Sequence, residues 1–441
     1  MYCPEIQGVA RSGAALFAMN LYFHPEILAQ QKYSCNCCGR GCRSFLVPVR
    51  TRERKAIAEL QPWPEKLGVD KLYVRSREAK VSGYGLARRA DGRCVFLDEE
   101  NLCAIHRLHG LKAKPLACQL YPFVFTPFAG KLRVGLRFDC PAVCGNEGQS
   151  LTAYKKEIRQ LAKQIVPTHA VETEVPFLLT RVKISDAWFD AINEILLKIV
   201  NSNALTLVQR LHWLRKFLEH LARVKWPNVG EEDFTALMEM LQGGLLAEVQ
   251  KQESRRELPT GKPRKLLGQI FYLLSHPASR MVMGKGVIKR LHERIDSAGM
   301  MKQLGQTEGR LPEVRDDWPN VDLVVLETSF GSWPREAEQM LSRYLTCRIA
   351  SMGYCGLNFY GFSLVEGARS LLLAMVAVGW LMRIEAVKAG RKHLELSDAQ
   401  TAVMTIDGNM GYGSALGTGP SRMRLNYLSE HLESFIDWYC S

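Results

Sequence analysis

Cys35-Asn36-Cys37-Cys38-Gly39-Arg40-Gly41-Cys42 sets four thiols in one short stretch, punctuated by two glycines. Thiols so close in sequence converge on one metal only where the backbone turns sharply, and Gly39 and Gly41 supply freedom for such a turn. Working outward, Cys94-Val95-Phe96-Leu97-Asp98 is followed by Cys103-Ala104-Ile105-His106. The acidic stretch Asp98-Glu99-Glu100-Asn101 between them reads as a hairpin tip that would bring Cys94 and Cys103 together. Cys118 follows in Pro115-Leu116-Ala117-Cys118-Gln119-Leu120-Tyr121-Pro122, and the series closes on Asp139-Cys140-Pro141-Ala142-Val143-Cys144. Most of the 13 cysteines of this 441-residue chain therefore lie between Cys35 and Cys144. Scattered buried thiols would not crowd in this way.

Four cysteines complete a structural zinc site or hold one iron–sulfur cluster. The number here exceeds one such site, which implies two metals or one cluster with spare thiols. Paired C-x-x-C knuckles are the mark of zinc, and this chain has one such pair, Cys35 and Cys38, followed by single cysteines. Tyr33, Phe96, Tyr121, Phe123 and Phe125 offer an apolar shell of the kind that shields a cluster. The balance favours an iron–sulfur cluster (4Fe-4S), with Zn as the alternative. His106 and His109 beside Cys103 read as surface or helix-capping residues, because thiols already fill the ligand set.

Composition bounds the rest. With 47% hydrophobic and 23% charged residues the chain is ordinary globular protein, which excludes a disordered tail, a collagen-like repeat or a disulfide-stapled miniprotein. Met1-Tyr2-Cys3-Pro4-Glu5-Ile6 has no basic, apolar or cleavage-site character of an export signal, so a cytoplasmic location is expected. In a reducing compartment close cysteines are metal ligands before they are disulfides. The longest apolar run, Leu371 to Met382 between Arg369 and Arg383, falls short of the ~20 residues of a membrane span and predicts a buried core helix, with no membrane partner. The net charge of +13 is spread over Arg50 to Lys55, Arg75 to Lys80, Arg255-Arg256 and Lys262 to Lys265. Without aromatic interleaving these read as a solvated surface, which argues against nucleic acid.

The expected fold class is α+β: a small cysteine-rich metal-binding module, residues 1–150, followed by a mainly α-helical body, residues 151–441. Phe45 to Val49 and Lys131 to Leu136 read as short strands, and Thr51 to Leu60 as a helix with Thr51 as its cap. In the body, helical spacing covers Leu151 to Ile165, and Ala191 to Lys225 as two helices broken at Asn201-Ser202-Asn203. Further helices are predicted over Phe234 to Gln250, Lys265 to Ser275, Glu336 to Cys347, Phe362 to Gly390 and Asn426 to Tyr439. Pro259 to Pro263 and Gly299 to Asp317 read as surface linkers. Val403 to Gly413 reads as a strand-like run leading into a flexible loop, and no nucleotide-binding fingerprint occurs elsewhere. Glu336 and Glu338 are expected to face water. Cys347 and Cys355, near Tyr344, Tyr354, Phe359 and Tyr360, are expected in the core.

Tyr33-Ser34-Cys35…Cys38-Gly39…Cys42, Gly92 to Leu97, Leu102 to His106, Cys118 to Pro122 and Asp139-Cys140-Pro141 resemble, in this order, the YkgJ-type cysteine-cluster family of zinc- or iron-chelating domains. That family includes the FliB-type flagellin lysine-N-methylases. The resemblance covers roughly residues 30–150 and implies Cys35, Cys38, Cys42, Cys94, Cys103, Cys118 and Cys140 as metal ligands. The family's first motif usually ends in adjacent cysteines, whereas Arg43 follows Cys42 here. Cys37 is the candidate for the missing thiol, and Cys144 is an addition to the pattern. Ala204 to Leu211 and the helix-rich tail resemble the methylase branch more loosely. The resemblance implies a protein lysine N-methyltransferase using S-adenosylmethionine, with a protein substrate such as flagellin. Its catalytic residues are not legible. The competing class is a non-enzymatic, metal-stabilised interaction scaffold. An enzyme predicts a concave pocket between module and body.

Overall fold

The computed structural model describes residues 20–60, 67, 71–75, 83–165, 175–251, 257–276, 287–411 and 415–441. Met1 to Ile6 with Cys3, Arg255-Arg256, most of Arg75 to Lys80 and residues 412–413 lie outside the described residues. The α+β reading holds: a cysteine-rich region with small sheets precedes a helical body.

Strand Lys131–Leu136 is the centre of a three-stranded sheet, parallel to Asn20–Tyr22 and antiparallel to Phe123–Phe128. Its apolar residues are buried almost without alternation, since Leu132, Val134 and Leu136 pack beside the buried Arg133. A strand covered on both faces reads this way. The strand meets the body directly: the Leu136 N–H donates to Cys347 Sγ at 3.2 Å, and Arg133 pairs with Asp190 at 2.6 Å. No break in packing marks residue 150, because Phe123, Val134 and Phe138 share one apolar core with the body helices. A second, smaller core of Val49, Ile57, Leu86, Val95, Phe96, Leu97 and Ile105 lies under the cysteine motifs.

The body is organised by helix Leu364–Lys388, buried along nearly its whole length. It is longer than the apolar run read from sequence. By length and composition it could cross a membrane, but 89% of its apolar window is buried inside the protein. Ser363 caps it, accepting from the Glu366 N–H while Glu366 bonds back to the Ser363 N–H at 3.0 Å. At Gly379 a Cβ would lie 1.9 Å from the Tyr439 carbonyl oxygen, so only glycine lets helix Leu432–Tyr439 approach this closely. Trp380 next to it is fully buried and stacks on Phe271, with centroids 4.6 Å apart.

Helices Asp186–Val200 and Leu207–Arg223 match the two segments expected, as do Glu231–Gln250, Gly261–Ser275 and Arg335–Ala350. Several expectations need correction. The cap of helix Thr51–Glu59 is Arg50, whose N–H donates to Glu53 at 2.7 Å; Thr51 is already helical. Phe45 to Val49 makes a single bridge, Pro48 with Gly85, not a strand. Leu151 to Ile165 is a 3₁₀ turn followed by helix Lys155–Ala162. Gly261 to Pro263 opens a helix, and Gly299 to Leu304 ends one, Val287–Leu304. The tail divides into Gly419–Ser429 and Leu432–Tyr439. Val403 to Asn409 belongs to helix Leu396–Asn409, because its β-branched residues are buried in the helical body and burial outweighs their local preference. Glu338, expected at the surface, is instead half-buried.

Candidate metal centre

The first cysteine motif is a tight loop between strand Lys32–Tyr33 and helix Arg40–Ser44. Cys37 sits at φ 55° and Gly39 at φ 67°, so two left-handed residues flank Cys38. The turn expected of Gly39 is there. Gly41 has a different role: it lies inside the short helix, where a Cβ would stand 3.3 Å from the Tyr121 ring. Cys35, Cys37 and Cys38 are exposed, and Cys42 on the helix is half-buried.

The second motif joins the first through the backbone. The Cys94 N–H donates to the Cys42 carbonyl at 2.9 Å. Cys94 and Cys103 are brought to one place by a pairing of Leu97 with Cys103 and a bond from the Ala104 N–H to the Phe96 carbonyl at 2.8 Å. Asp98 closes the turn, its Oδ1 accepting the N–H groups of Glu100 and Leu102 at 3.1 and 2.8 Å. Cys103 then caps helix Ala104–His109, which carries His106 out to solvent. Cys118 lies in helix Leu116–Leu120, anchored where the Leu116 N–H donates to Glu53 at 2.9 Å. Cys140 caps helix Pro141–Cys144.

Electrostatics shows which thiols are neighbours. Burial pushes Cys94 up to about 12, with Cys42 and Cys103 adding like-charge repulsion against the Phe96 N–H and Arg88. Burial likewise drives Cys118 far above the ordinary thiol range; Lys114 opposes it, and Cys94, Cys42 and Cys103 reinforce it. Cys42 is raised by burial, with Cys103, Cys35 and Cys38 as further neighbours. Lys114 faces the same group: burial disfavours its charge, but Cys118, Cys103, Cys42 and Cys35 outweigh that and hold the ammonium on. Cys42, Cys103, Cys118 and Cys35 thus surround one lysine, and Cys94 neighbours Cys42, Cys103 and Cys118. Cys140, raised to about 11 chiefly by burial, neighbours Cys38. Tyr33 stands beside Cys35 and Cys140, its hydroxyl strongly raised by burial, and its ring meets Phe123 edge-on at 5.7 Å.

The donor set has the chemistry of a chelating site: soft thiols, drawn from separate segments, with Lys114 and Arg88 beside them. Among the described residues, however, no three side chains of His, Cys, Asp or Glu converge closely enough to hold an ion as they stand. Among the described cysteines all are free thiols, without a disulfide. Cys144 is buried four residues beyond Cys140, which acts on its thiol electrostatically. Its Sγ packs 3.8 Å from Met340 Sδ and 3.9 Å from the Gln400 carbonyl, on the body side. Cys347, Cys355 and Cys440 are buried core thiols.

One functional-looking element escaped the sequence. Asp407 on helix Leu396–Asn409 is fully buried and accepts the N–H groups of Phe138 and Asp139, at 2.7 and 3.2 Å, while pairing with Arg348. Asp139 in turn pairs with Arg137 and accepts the Tyr121 hydroxyl at 3.2 Å. This chain of charges ties the turn before Cys140 to the body. A single aspartate in an apolar run, more than 250 residues away, carries no local pattern that would announce it.

The fold and site together define a chelating module of interleaved cysteine motifs built onto a helical body. Residues 34–155 match the CxxCxxCC family, described as a "putative zinc- or iron-chelating domain". The lysine-N-methylase of Salmonella typhimurium (strain LT2) is 22% identical over 229 residues, 49% of this chain and 53% of that protein. The lysine-N-methylase of Salmonella choleraesuis gives 22% over 228 residues, with the same shares. The flagellar biosynthetic protein FliU of Salmonella muenchen is 24% identical over 115 residues, 25% of this chain and 68% of that protein. The chain spans about half the length of the lysine-N-methylases it matches. No solved structure matches it. The cysteine-cluster resemblance drawn from the motifs is therefore met by both comparisons.

Proposed function

We propose that this chain is a cytoplasmic metalloprotein that methylates lysine side chains of a protein substrate, flagellin first among candidates, using S-adenosylmethionine. The observation that carries the reading is a coincidence of place. The match to a chelating family falls on the segment whose thiols crowd around Lys114, and relatives that match about half of this chain bear the name lysine-N-methylase. Cys42, Cys94, Cys103 and Cys118 form the inner ligand set of an iron–sulfur cluster (4Fe-4S) or zinc. Cys35, Cys38 and Cys140, with Cys37 in place of the thiol that Arg43 displaces, are the ligands of a second metal or spare thiols beside it.

When bound, the metal cross-links motifs that lie far apart in sequence, and a cluster would add redox capacity. Lys114 and Arg88 balance the thiolate charge. In methyl transfer the uncharged lysine amine attacks the methyl carbon; a C–N bond forms, the S–CH₃ bond breaks and the amine loses a proton. The test is incubation of anaerobically purified protein with S-adenosylmethionine and unmodified flagellin, read by mass spectrometry. Methylated lysines that vanish with Cys118→Ala support the reading.

A second reading, a metal-stabilised interaction scaffold, has its own support. Neither of the two cavities described in this fold is lined by any of the eight cysteines, whereas an enzyme would place a pocket beside them. Metal-loaded protein that binds flagellin but transfers no methyl group would favour the scaffold.

A further inference from the structure

Two basic stretches that lie apart in sequence meet in space. Strand Tyr73–Arg75 pairs antiparallel with Tyr84–Leu86, which sets Arg75 opposite Tyr84. Helix Thr51–Glu59 lays Arg54 over the same tyrosine. The guanidinium carbons of Arg54 and Arg75 stand 3.9 and 5.8 Å from the centroid of the Tyr84 ring. Arg75 Nε also donates to the Tyr84 hydroxyl at 3.3 Å, and Arg54 lies 5.9 Å from the Tyr73 ring. Arg52 and Lys55 are exposed on the same helix.

These cations lack counter-charges. Glu53 sits among them in sequence, but its two oxygens accept the Arg50 and Leu116 N–H groups at 2.7 and 2.9 Å. No carboxylate among the described residues pairs with Arg52, Arg54, Lys55 or Arg75. Arg93 and Arg107 differ, since they pair with Asp91, Glu99 and Asp98. The Tyr84 hydroxyl registers the imbalance: the bond from Arg75, and then Arg54, holds it below its ordinary range. Two guanidiniums gathered on one phenol repel each other, and an anion seated between them removes that repulsion. Each planar fork matches a carboxylate through two parallel N–H bonds. Other polyanions fit less well. The face of Tyr84 that a nucleic-acid base would stack on already carries Arg54. None of the exposed large apolar side chains among the described residues lies on this helix or these strands, as entry into a lipid surface would require.

We propose that Arg54 and Arg75, with Arg52 and Lys55 beside them, form a docking surface for an acidic segment of a partner protein, whose carboxylates seat on the two guanidiniums around Tyr84. The surface goes beyond the methyl-transfer reading and does not rest on it, because a scaffold would use it as well as an enzyme.

The experiment measures fluorescence anisotropy of a labelled peptide alternating Glu and Ser against the full chain, at low and at raised salt. A peptide with Gln for Glu, oligouridylate and phosphatidylserine vesicles are the comparisons. The Glu peptide binds, the Gln peptide does not, and salt weakens the complex. Arg54→Gln and Arg75→Gln each weaken it about tenfold with an unchanged melting curve. Arg75 is exposed, so its variant keeps the test intact should loss of Arg54 from the Tyr84 ring impair folding. Arg54→Lys retains the charge without the fork and also weakens binding. Lys251→Gln, an equal loss of charge at an exposed position after helix Glu231–Gln250, leaves it unchanged. Failure of the Glu peptide to bind, unchanged affinity in Arg75→Gln, or an equal loss in Lys251→Gln overturns the assignment. Tighter binding of oligouridylate or of vesicles through the same two arginines overturns it too. No methyl donor is present, so the result is independent of any transfer activity.

Discussion

The cysteine region and the helical body are held together by different physics. The body is a continuous apolar core around helix Leu364–Lys388, where side chains from Leu196, Leu214, Phe271 and Phe435 meet with almost no exposed surface. The region of the cysteine motifs has a core of ten buried residues among those described, and three of its thiols stand in solvent. A patch that small contributes little against the entropy of ordering its loops. The body is stabilised by its own packing, whereas the cysteine region needs a cross-link, and a metal across Cys42, Cys94, Cys103 and Cys118 supplies one.

The largest predicted effect breaks the body. Trp380→Ala removes a fully buried indole stacked on Phe271 and costs about 4 kcal/mol. Denaturant unfolding should show the helical transition shifted far down, with metal content per folded molecule unchanged. Equal loss of metal would mean that the two regions are one cooperative unit. Next comes the joint between them. Asp407→Asn leaves Arg348 with a weakened buried partner and costs about 3 kcal/mol, detected as a lower melting temperature. Because Asp407 also holds the Phe138 and Asp139 N–H groups before Cys140, this variant alone should disturb both regions.

How far the sequence reaches follows the same division. Local periodicity exposed most helices, and the Asp98 to Asn101 turn between Cys94 and Cys103 was legible because turn chemistry is local. Helix Leu396–Asn409 was misread because Val403, Thr405 and Ile406 favour strand and the glycines beyond favour loop; burial against Leu364–Lys388 decides otherwise. The division of the tail at Glu430-His431 has no Pro or Gly to mark it. The Asp407 joint and the cluster of Arg54 and Arg75 on Tyr84 are products of tertiary contact between segments distant in the chain, and no spacing rule encodes them. The ligand types were legible because cysteine crowding is itself the signal; their distances to one another were not.

A smaller effect tests the cysteine region. Cys118→Ala should lose most of the bound metal and lower the melting of the module, while far-ultraviolet circular dichroism from the body stays near wild type. Loss of helicity as well would erase the contrast between the two regions. The smallest effect is expected at His106, exposed beside Cys103. His106→Ala should change stability by less than about 0.5 kcal/mol and leave metal content intact. Loss of metal in that variant would make the histidine a ligand and reduce the thiol set.

The most direct measurement is anaerobic purification followed by metal and sulfide analysis, an absorption spectrum and a count of reactive thiols before and after chelation. The account predicts stoichiometric iron with sulfide and a broad visible band, or stoichiometric zinc in a colourless protein. In either case Cys42, Cys94, Cys103 and Cys118 become reactive only once the metal is removed. A folded, metal-free protein with the same thiols reactive and the same melting curve with and without chelator would contradict it.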